Sequence, residues 1–319
     1  MTLVRIPILL TQPLFHVDPG SPHTDRLSFY KLWECNDKAA LMKSIAENCR
    51  GAIVRGTFSA EDMDLLPGLG IIAVCGVGYD GVDVKAAIKR GIQVTNTPDV
   101  LTEDVADLAL GLLLACGRKI VQADKYVRQG KWETEGEMTY NPRVHGKRLG
   151  IIGLGRIGMA IARRCLALNM DIGYHNRNQR NDVNFHYFRS ALSLAAWSDY
   201  LILATPGGKE TRHIVNREVL SALGPNGMLV NVGRGTNVDQ SALAEALNTG
   251  IIACAALDVL EGEPLVPQEL MTREDNLILQ PHHASATFET RQAMVDLALD
   301  NIQAHLDGRK LLTPIVECQ

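Results

Sequence analysis

The stretch Leu149-Gly150-Ile151-Ile152-Gly153-Leu154-Gly155-Arg156-Ile157-Gly158 decides the fold. A short apolar run of strand character leads into GxGxxG, and residues 157–169 continue with the Ala, Ile, Leu and Met content of a helix. A GxGxxG alone is a weak signal. Placed between a strand and the head of a helix, it reads as a dinucleotide-binding turn. Gly153 permits the tight turn, Gly155 lets backbone approach a pyrophosphate, and Gly158 lets the helix lie close to the sheet. The N–H groups near Arg156 and Ile157 then face the phosphates, helped by the helix dipole. The plain reading is a strand-to-helix turn that uses glycine for geometry alone.

Outward from this turn the chain alternates apolar strand-like runs with helical patterns, the signature of α/β architecture with parallel sheets. In the first half the expected strands are 5–10, 52–54, 71–75 and 93–95, with helices such as 38–49 and 84–89. The second series expects six strands, at 149–152, 171–174, 200–204, 228–232, 253–257 and 276–279, a complete doubly wound sheet. Residues 102–130 read as one long helix joining the halves. Residues 287–307 read as an amphipathic helix that crosses back to the first domain. The expected division is a discontinuous first domain built from both chain ends, 1–99 plus 286–319, with a dinucleotide-binding Rossmann domain, 100–285, inserted.

Cofactor type is decided roughly 20 residues past the glycine turn, where an Asp or Glu would accept from the ribose 2′-OH of NAD. Here the chain has His175-Asn176-Arg177-Asn178-Gln179-Arg180, with no carboxylate before Asp182. Arginines and asparagines suit a 2′-phosphate through charge-assisted hydrogen bonds. NADP(H) is therefore expected over NAD(H), which stays possible. Arg177 is the first candidate for the phosphate and Arg180 the second, with Asn176 and Asn178 beside them; the plain alternative is a solvated basic turn.

Three further segments follow expected strands. They are Asn231-Val232-Gly233-Arg234-Gly235, then Leu257-Asp258-Val259-Leu260-Glu261-Gly262-Glu263-Pro264, then Gln280-Pro281-His282-His283-Ala284-Ser285. In an open α/β sheet the carboxyl edge is where ligands bind, so an Arg, a Glu and a His converge there. Reduction of a ketoacid needs these types. A planar guanidinium holds the carboxylate and polarises the ketone. An imidazole delivers a proton near neutral pH. A carboxylate orients that imidazole and favours its protonated form. The assignment is Arg234 as clamp, His282 as general acid and base, and Glu263 as its partner.

With these motifs in place, the sequence resembles the D-isomer-specific 2-hydroxyacid dehydrogenase family over nearly its whole length. The resemblance also rests on Gly76-Val77-Gly78-Tyr79-Asp80-Gly81-Val82-Asp83, similar to the family's substrate loop. Leu101-Thr102-Glu103-Asp104-Val105-Ala106-Asp107 is similar to the start of its interdomain helix. The resemblance implies that backbone N–H groups of Val77 and Gly78 share the substrate carboxylate with Arg234, near His282 and Ser285. It implies that Thr102, Thr205, Pro206, Val232, Gly233 and Asp258 line the cofactor. It further implies that the first domain, 1–99 plus 286–319, is a flavodoxin-like substrate lobe closed by the C-terminal helix, that the chain forms a homodimer through the cofactor domain, and that lobe closure excludes water.

The nearest likeness is to NADPH-dependent glyoxylate/hydroxypyruvate reductases. Reduction of bulkier aryl-pyruvates, as by hydroxyphenylpyruvate reductases, and a non-catalytic dinucleotide-sensing role stay open as alternatives. Formate dehydrogenases of the superfamily carry Gln at the Glu263 position, so formate oxidation is not expected. Two departures stand out. His283 follows His282 where an apolar residue is more usual, leaving open which imidazole acts. Gly207-Gly208 replaces a stiffer segment.

Composition fits these expectations. The chain has 319 residues, 46% hydrophobic and 21% charged, with a formal net charge of −4. That balance offers no basic field for nucleic acid or anionic lipid. Seven scattered cysteines argue against disulfides or a zinc knuckle and suit buried thiols in a reducing compartment. No His/Cys/Asp cluster has metal-ligand spacing, so no metal is expected. Asp80 and Asp83 read as turn and cap residues. The opening MTLVRIPILL is too short for a signal-peptide core, and a cytoplasmic protein is the default expectation. His16, His23, His145, His186, His213 and His305 read as surface, capping or packing residues. His175 fits either adenine stacking or the strand, and Trp132 and Tyr140 either the substrate mouth or an interface.

Overall fold

The computed structural model describes residues 5–13 and 25–318; His16 and His23 lie outside them. The chain divides into two compact units, Met1–Leu101 with Ala286–Gln319, and Thr102–Ser285.

The first unit holds five parallel strands: β1 (Ile6–Leu10), β2 (Leu27–Lys31), β3 (Gly51–Val54), β4 (Ile71–Val74) and β5 (Gln93–Thr95). Their order, β2-β1-β3-β4-β5, is that of flavodoxin-like sheets. GAIV and IIAV are buried throughout, as parallel strands covered on both faces must be. Helix Phe288–Leu306 lies on this sheet through Met294, Val295, Ala298, Leu299 and Ile302. The approach is close at Gly51, whose Cβ would stand 3.4 Å from Ile302 Cγ2. Strand β2 was not expected from sequence. It is an edge strand, LSFYK, with only Leu27 fully buried, so it lacks the apolar run that marks the others. The expected helix 38–49 is shorter, Lys38–Ile45.

Asn301 ties that last helix to the C-terminal segment. It is fully buried. Its Oδ1 accepts from Leu312 N and Thr313 N, both at 3.0 Å, and its Nδ2 donates to Leu297 O at 2.8 Å and Thr313 Oγ1 at 2.9 Å. Asn301→Ala removes the acceptor of the Leu312 and Thr313 N–H groups from a buried position, so a loss of about 1–3 kcal/mol is expected. Urea denaturation measures it as a lower midpoint with unchanged slope.

The second unit has seven parallel strands, one more than expected: β6 (Arg148–Ile152), β7 (Asp171–His175), β8 (His186–Tyr187), β9 (Tyr200–Leu203), β10 (Met228–Asn231), β11 (Cys254–Leu257) and β12 (Leu277–Leu279). The order is β12-β11-β10-β9-β6-β7-β8. The strands stay parallel, but the order in which the chain adds them reverses between β6 and β9, and the crevice at such a switch point is where a doubly wound sheet binds its ligand. The unexpected β8 is a two-residue edge strand, too short to leave a pattern.

One expected element is wrong. The single helix 102–130 is two helices, Thr102–Arg118 and Ile120–Arg128, separated by Lys119 at φ +49°. The buried stripe ends at Gly117, and no residue of the second helix is buried. No continuous apolar face holds the two in line.

Five of the seven cysteines are buried, and Cys35 and Cys318 are partly so. Burial pushes the Cys75 and Cys165 thiols up to about 12, which keeps them protonated and unreactive. Among the described residues no helix is long and apolar enough to cross a membrane, and no group of three or more His, Cys, Asp or Glu is placed to hold a metal.

Candidate active site

The glycine turn follows β6 and opens helix Arg156–Leu166. Gly153 sits at φ +94°, and a Cβ there would stand 2.8 Å from Ala204 O, so both conformation and space demand glycine. A Cβ on Gly158 would meet Gly153 O at 2.2 Å, which is how closely helix and turn pack. Gly155 differs: its Cβ would meet nothing within 4 Å. Gly155 is also the N-cap and supplies no side-chain acceptor to the first turn. The helix therefore presents backbone N–H groups beside open space, a fit for a pyrophosphate. Arg156 is exposed and Ile157 half-buried at this end.

The turn after β7 is built from the same side. Asn176 Oδ1 accepts from Leu154 N at 2.7 Å, so Asn176 braces the glycine loop. Arg180 is committed too. Its guanidinium donates to Leu154 O at 2.9 Å and pairs with Asp182, and its main chain exchanges hydrogen bonds with the Tyr174 hydroxyl. Those partners hold Arg180 against the glycine turn. Arg177 is 84% exposed and pairs with Glu210 at 2.9 Å, and Asn178 is exposed beside it. His175 ends β7, with Nδ1 2.9 Å from Phe188 O.

Thr205 and Pro206 follow β9, and Val232 and Gly233 follow β10. Val232 N donates to Leu203 O at 3.1 Å, and a Cβ on Gly233 would lie 2.6 Å from Thr205 O. Thr102 begins its helix largely buried.

Two buried asparagines that the sequence reading did not single out shape the Arg234 loop. Asn231 Oδ1 accepts from Gly233 N at 3.0 Å, and its Nδ2 donates to Arg234 O at 2.9 Å. Asn237 Oδ1 accepts from Arg234 N at 2.8 Å, and its Nδ2 donates to Pro206 O and Thr211 O. Their fixed spacing around Arg234, in NVGRGTN, was the available signal. Gly235 then brings this loop against the next. A Cβ there would fall 1.9 Å from Leu260 C, so only glycine lets the Arg234 loop touch the loop that carries Glu263.

Glu263 Oε1 accepts from Leu260 N at 2.9 Å, and its Oε2 lies 2.8 Å from His282 Nδ1. Burial by itself would raise the Glu263 carboxyl. The His282 hydrogen bond and charge, the Leu260 N–H and the Arg234 charge together outweigh it and hold the carboxyl below its usual range. His282 occupies a left-handed backbone position, φ +54°. Asp258 holds it there. Asp258 O accepts from His282 N at 2.8 Å, and the buried carboxylate accepts from His283 N at 2.6 Å and Ala284 N at 3.1 Å. The Glu263 carboxylate meets His282; His283 is exposed. Ser285 closes this unit, partly buried. A second carboxylate cluster supports the same loop: Glu261 pairs with Arg212 at 2.7 Å and with His213 at 3.2 Å.

In the first unit, Val77 and Gly78 follow β4. Val77 O accepts from Asn96 Nδ2 at 2.8 Å.

Comparison with known proteins identifies relatives over nearly the whole chain. Residues 110–284 match the family described as D-isomer specific 2-hydroxyacid dehydrogenase, NAD binding domain. The chain is 46% identical over 294 residues to glyoxylate/hydroxypyruvate reductase A of Arabidopsis thaliana, covering 91% of this chain and 93% of the relative. It is 45% identical to hydroxyphenylpyruvate reductase of Plectranthus scutellarioides, with 91% and 93% covered. A crystal structure of NADPH-dependent glyoxylate/hydroxypyruvate reductase from Sinorhizobium meliloti, in complex with NADP and malonate, superimposes with a TM-score of 0.90 at 44% identity, covering 98% of each chain. The chain belongs to the D-isomer specific 2-hydroxyacid dehydrogenase family, whose members are oxidoreductases.

Proposed function

We propose that this protein reduces small 2-ketoacids, glyoxylate and hydroxypyruvate first, to 2-hydroxyacids with NADPH. The observation that carries the reading is the His282–Glu263 pair at 2.8 Å, beside the Arg234 loop on the carboxyl edge of the sheet that bears the glycine turn. The glycine turn and helix Arg156–Leu166 would hold the pyrophosphate, and Arg177 the 2′-phosphate. Thr102, Thr205, Pro206, Val232 and Gly233 complete the cofactor side. A reduced nicotinamide, when bound, supplies a hydride to the ketone carbon.

The side chains do the rest. Arg234 binds the substrate carboxylate and draws electron density onto the ketone oxygen. Glu263 engages His282 at Nδ1 and stabilises the imidazolium, which leaves Nε2 to donate its proton to that oxygen. In the oxidative direction the same nitrogen takes the proton back. Asp258 is a positioning residue, holding the His282 turn through main-chain N–H groups.

Arg177→Ala tests the cofactor assignment. Losing charge-assisted hydrogen bonds worth about 1.5–3 kcal/mol should weaken NADPH binding by roughly 10- to 150-fold. NADH binding should change less than about two-fold, since it carries no 2′-phosphate. Equilibrium titration of both cofactors measures the difference. A second reading, reduction of aryl-pyruvates, is favoured by the 45% identity to a hydroxyphenylpyruvate reductase. Comparison of kcat/KM for hydroxypyruvate and hydroxyphenylpyruvate decides between them. Exposed Ile120, Val127, Trp132 and Tyr140 on the dinucleotide unit support a homodimer through that unit.

A further inference from the structure

We propose that Glu210 is the resident counter-ion of Arg177 and sets how far the protein discriminates NADPH from NADH. The inference rests on the reading that Arg177 receives the 2′-phosphate, and it adds a residue that no sequence fingerprint supplies. The turn after β7 lacks a carboxylate before Asp182, and Asp182 is occupied by Arg180. Glu210 arrives instead from the loop after β9, 33 residues along the chain, and its Oε2 lies 2.9 Å from Arg177 Nη1.

The loop that delivers Glu210 is held in place. Thr211 Oγ1 donates to Pro206 O at 2.8 Å, Thr211 N donates to Gly208 O at 3.2 Å, and Thr211 O accepts from buried Asn237. The carboxylate is thus attached next to an anchored residue, while both side chains of the pair stand in solvent, at 84% and 72% exposure. An exposed pair between anchored loops is easily exchanged for a better anion.

The chemistry follows from charge. A phosphate monoester carries about −1.5 to −2 charge and three acceptor oxygens, against a single charge on the carboxylate. It displaces Glu210 from Arg177, but it must break the pair first, and the displaced carboxylate remains nearby as a like charge. NADH requires no such exchange. Its 2′-OH is a donor, and a carboxylate is its usual acceptor in dinucleotide sites. Glu210 therefore opposes NADPH and tolerates or assists NADH, narrowing a preference that Arg177 creates.

The test is titration of NADPH and NADH, followed by nicotinamide fluorescence at low ionic strength, against the native protein, Glu210→Gln, Arg177→Ala and the double variant. Glu210→Gln should tighten NADPH by about 3- to 5-fold, the scale of an exposed ion pair. NADH should hold constant or weaken, and the NADPH gain should shrink when Arg177 is Ala. If Arg177→Ala abolishes the NADPH preference while Glu210→Gln leaves the ratio of the two Kd values unchanged, the phosphate reading stands and the counter-ion role fails. Weaker NADPH binding in Glu210→Gln also overturns it, because Glu210 would then orient Arg177 for the phosphate. If Arg177→Ala leaves the ratio unchanged, the phosphate reading itself falls and takes the inference with it.

Discussion

His282→Ala is expected to lower kcat for 2-ketoacid reduction by on the order of 10²- to 10⁴-fold, the range that a positioned general acid contributes. Cofactor Kd should stay within about two-fold, because the variant leaves the glycine turn untouched. The expectation rests on geometry. Glu263 engages one imidazole nitrogen at 2.8 Å, and Asp258 fixes the turn through the N–H groups on either side of the ring's neighbour. His283→Ala should keep near-native kcat, since its ring is exposed and the carboxylate is spent on His282. The reverse pattern in steady-state kinetics would move the acid to His283.

The pH dependence follows from Glu263. Its folded-state pKa lies below the ordinary carboxyl value, so its contribution to stability is present above that ordinary value and is lost as pH falls through the lowered one. Glu263 is therefore ionised across neutral pH, where its carboxylate stands 2.8 Å from His282 Nδ1. Glu263→Gln removes that contribution, so the stability gap between native protein and variant should be open at neutral pH and close as the pH falls through the acid range, measured by urea denaturation.

Arg234→Gln is expected to reduce kcat/KM for the ketoacid by roughly 30- to several thousand-fold, the effect of removing one partner of a desolvated charge pair worth about 2–5 kcal/mol. The loss should appear in KM as well as kcat, because the guanidinium both binds the carboxylate and polarises the ketone. Asn231 and Asn237 hold the loop through its main chain, not through the Arg234 side chain, so the fold should survive. Steady-state kinetics beside a thermal melt separates the two. A large fall in melting temperature with unchanged KM would recast Arg234 as structural.

Much of this was legible in the sequence because local chemistry wrote it there. Parallel strands buried on both faces leave runs such as LGII and IIAV, and the glycine turn announces its neighbours on either side. Arg234, Glu263 and His282 each follow a strand, so the carboxyl-edge rule collects them without knowledge of the distances. What escaped has equally physical causes. Edge strands Leu27–Lys31 and His186–Tyr187 carry no apolar run. The break at Lys119 needs a backbone angle that no Gly or Pro advertises. The hydrogen bonds of Asn176 and Arg180 to Leu154 depend on how two turns meet in the fold, and spacing does not record them. Glu210 could not be matched to Arg177 by spacing, because the two meet only through adjacent loops of the folded sheet.

The measurement closest to the central claim is the coupled stoichiometry of the purified protein: NADPH consumed against 2-hydroxyacid formed from glyoxylate or hydroxypyruvate, with NADH run in parallel. The account predicts one hydroxyacid per NADPH oxidised, and a higher kcat/KM with NADPH than with NADH. Tight dinucleotide binding without any hydroxyacid formed from short or aryl 2-ketoacids would contradict it, and would turn the same site into a sensor of the cofactor.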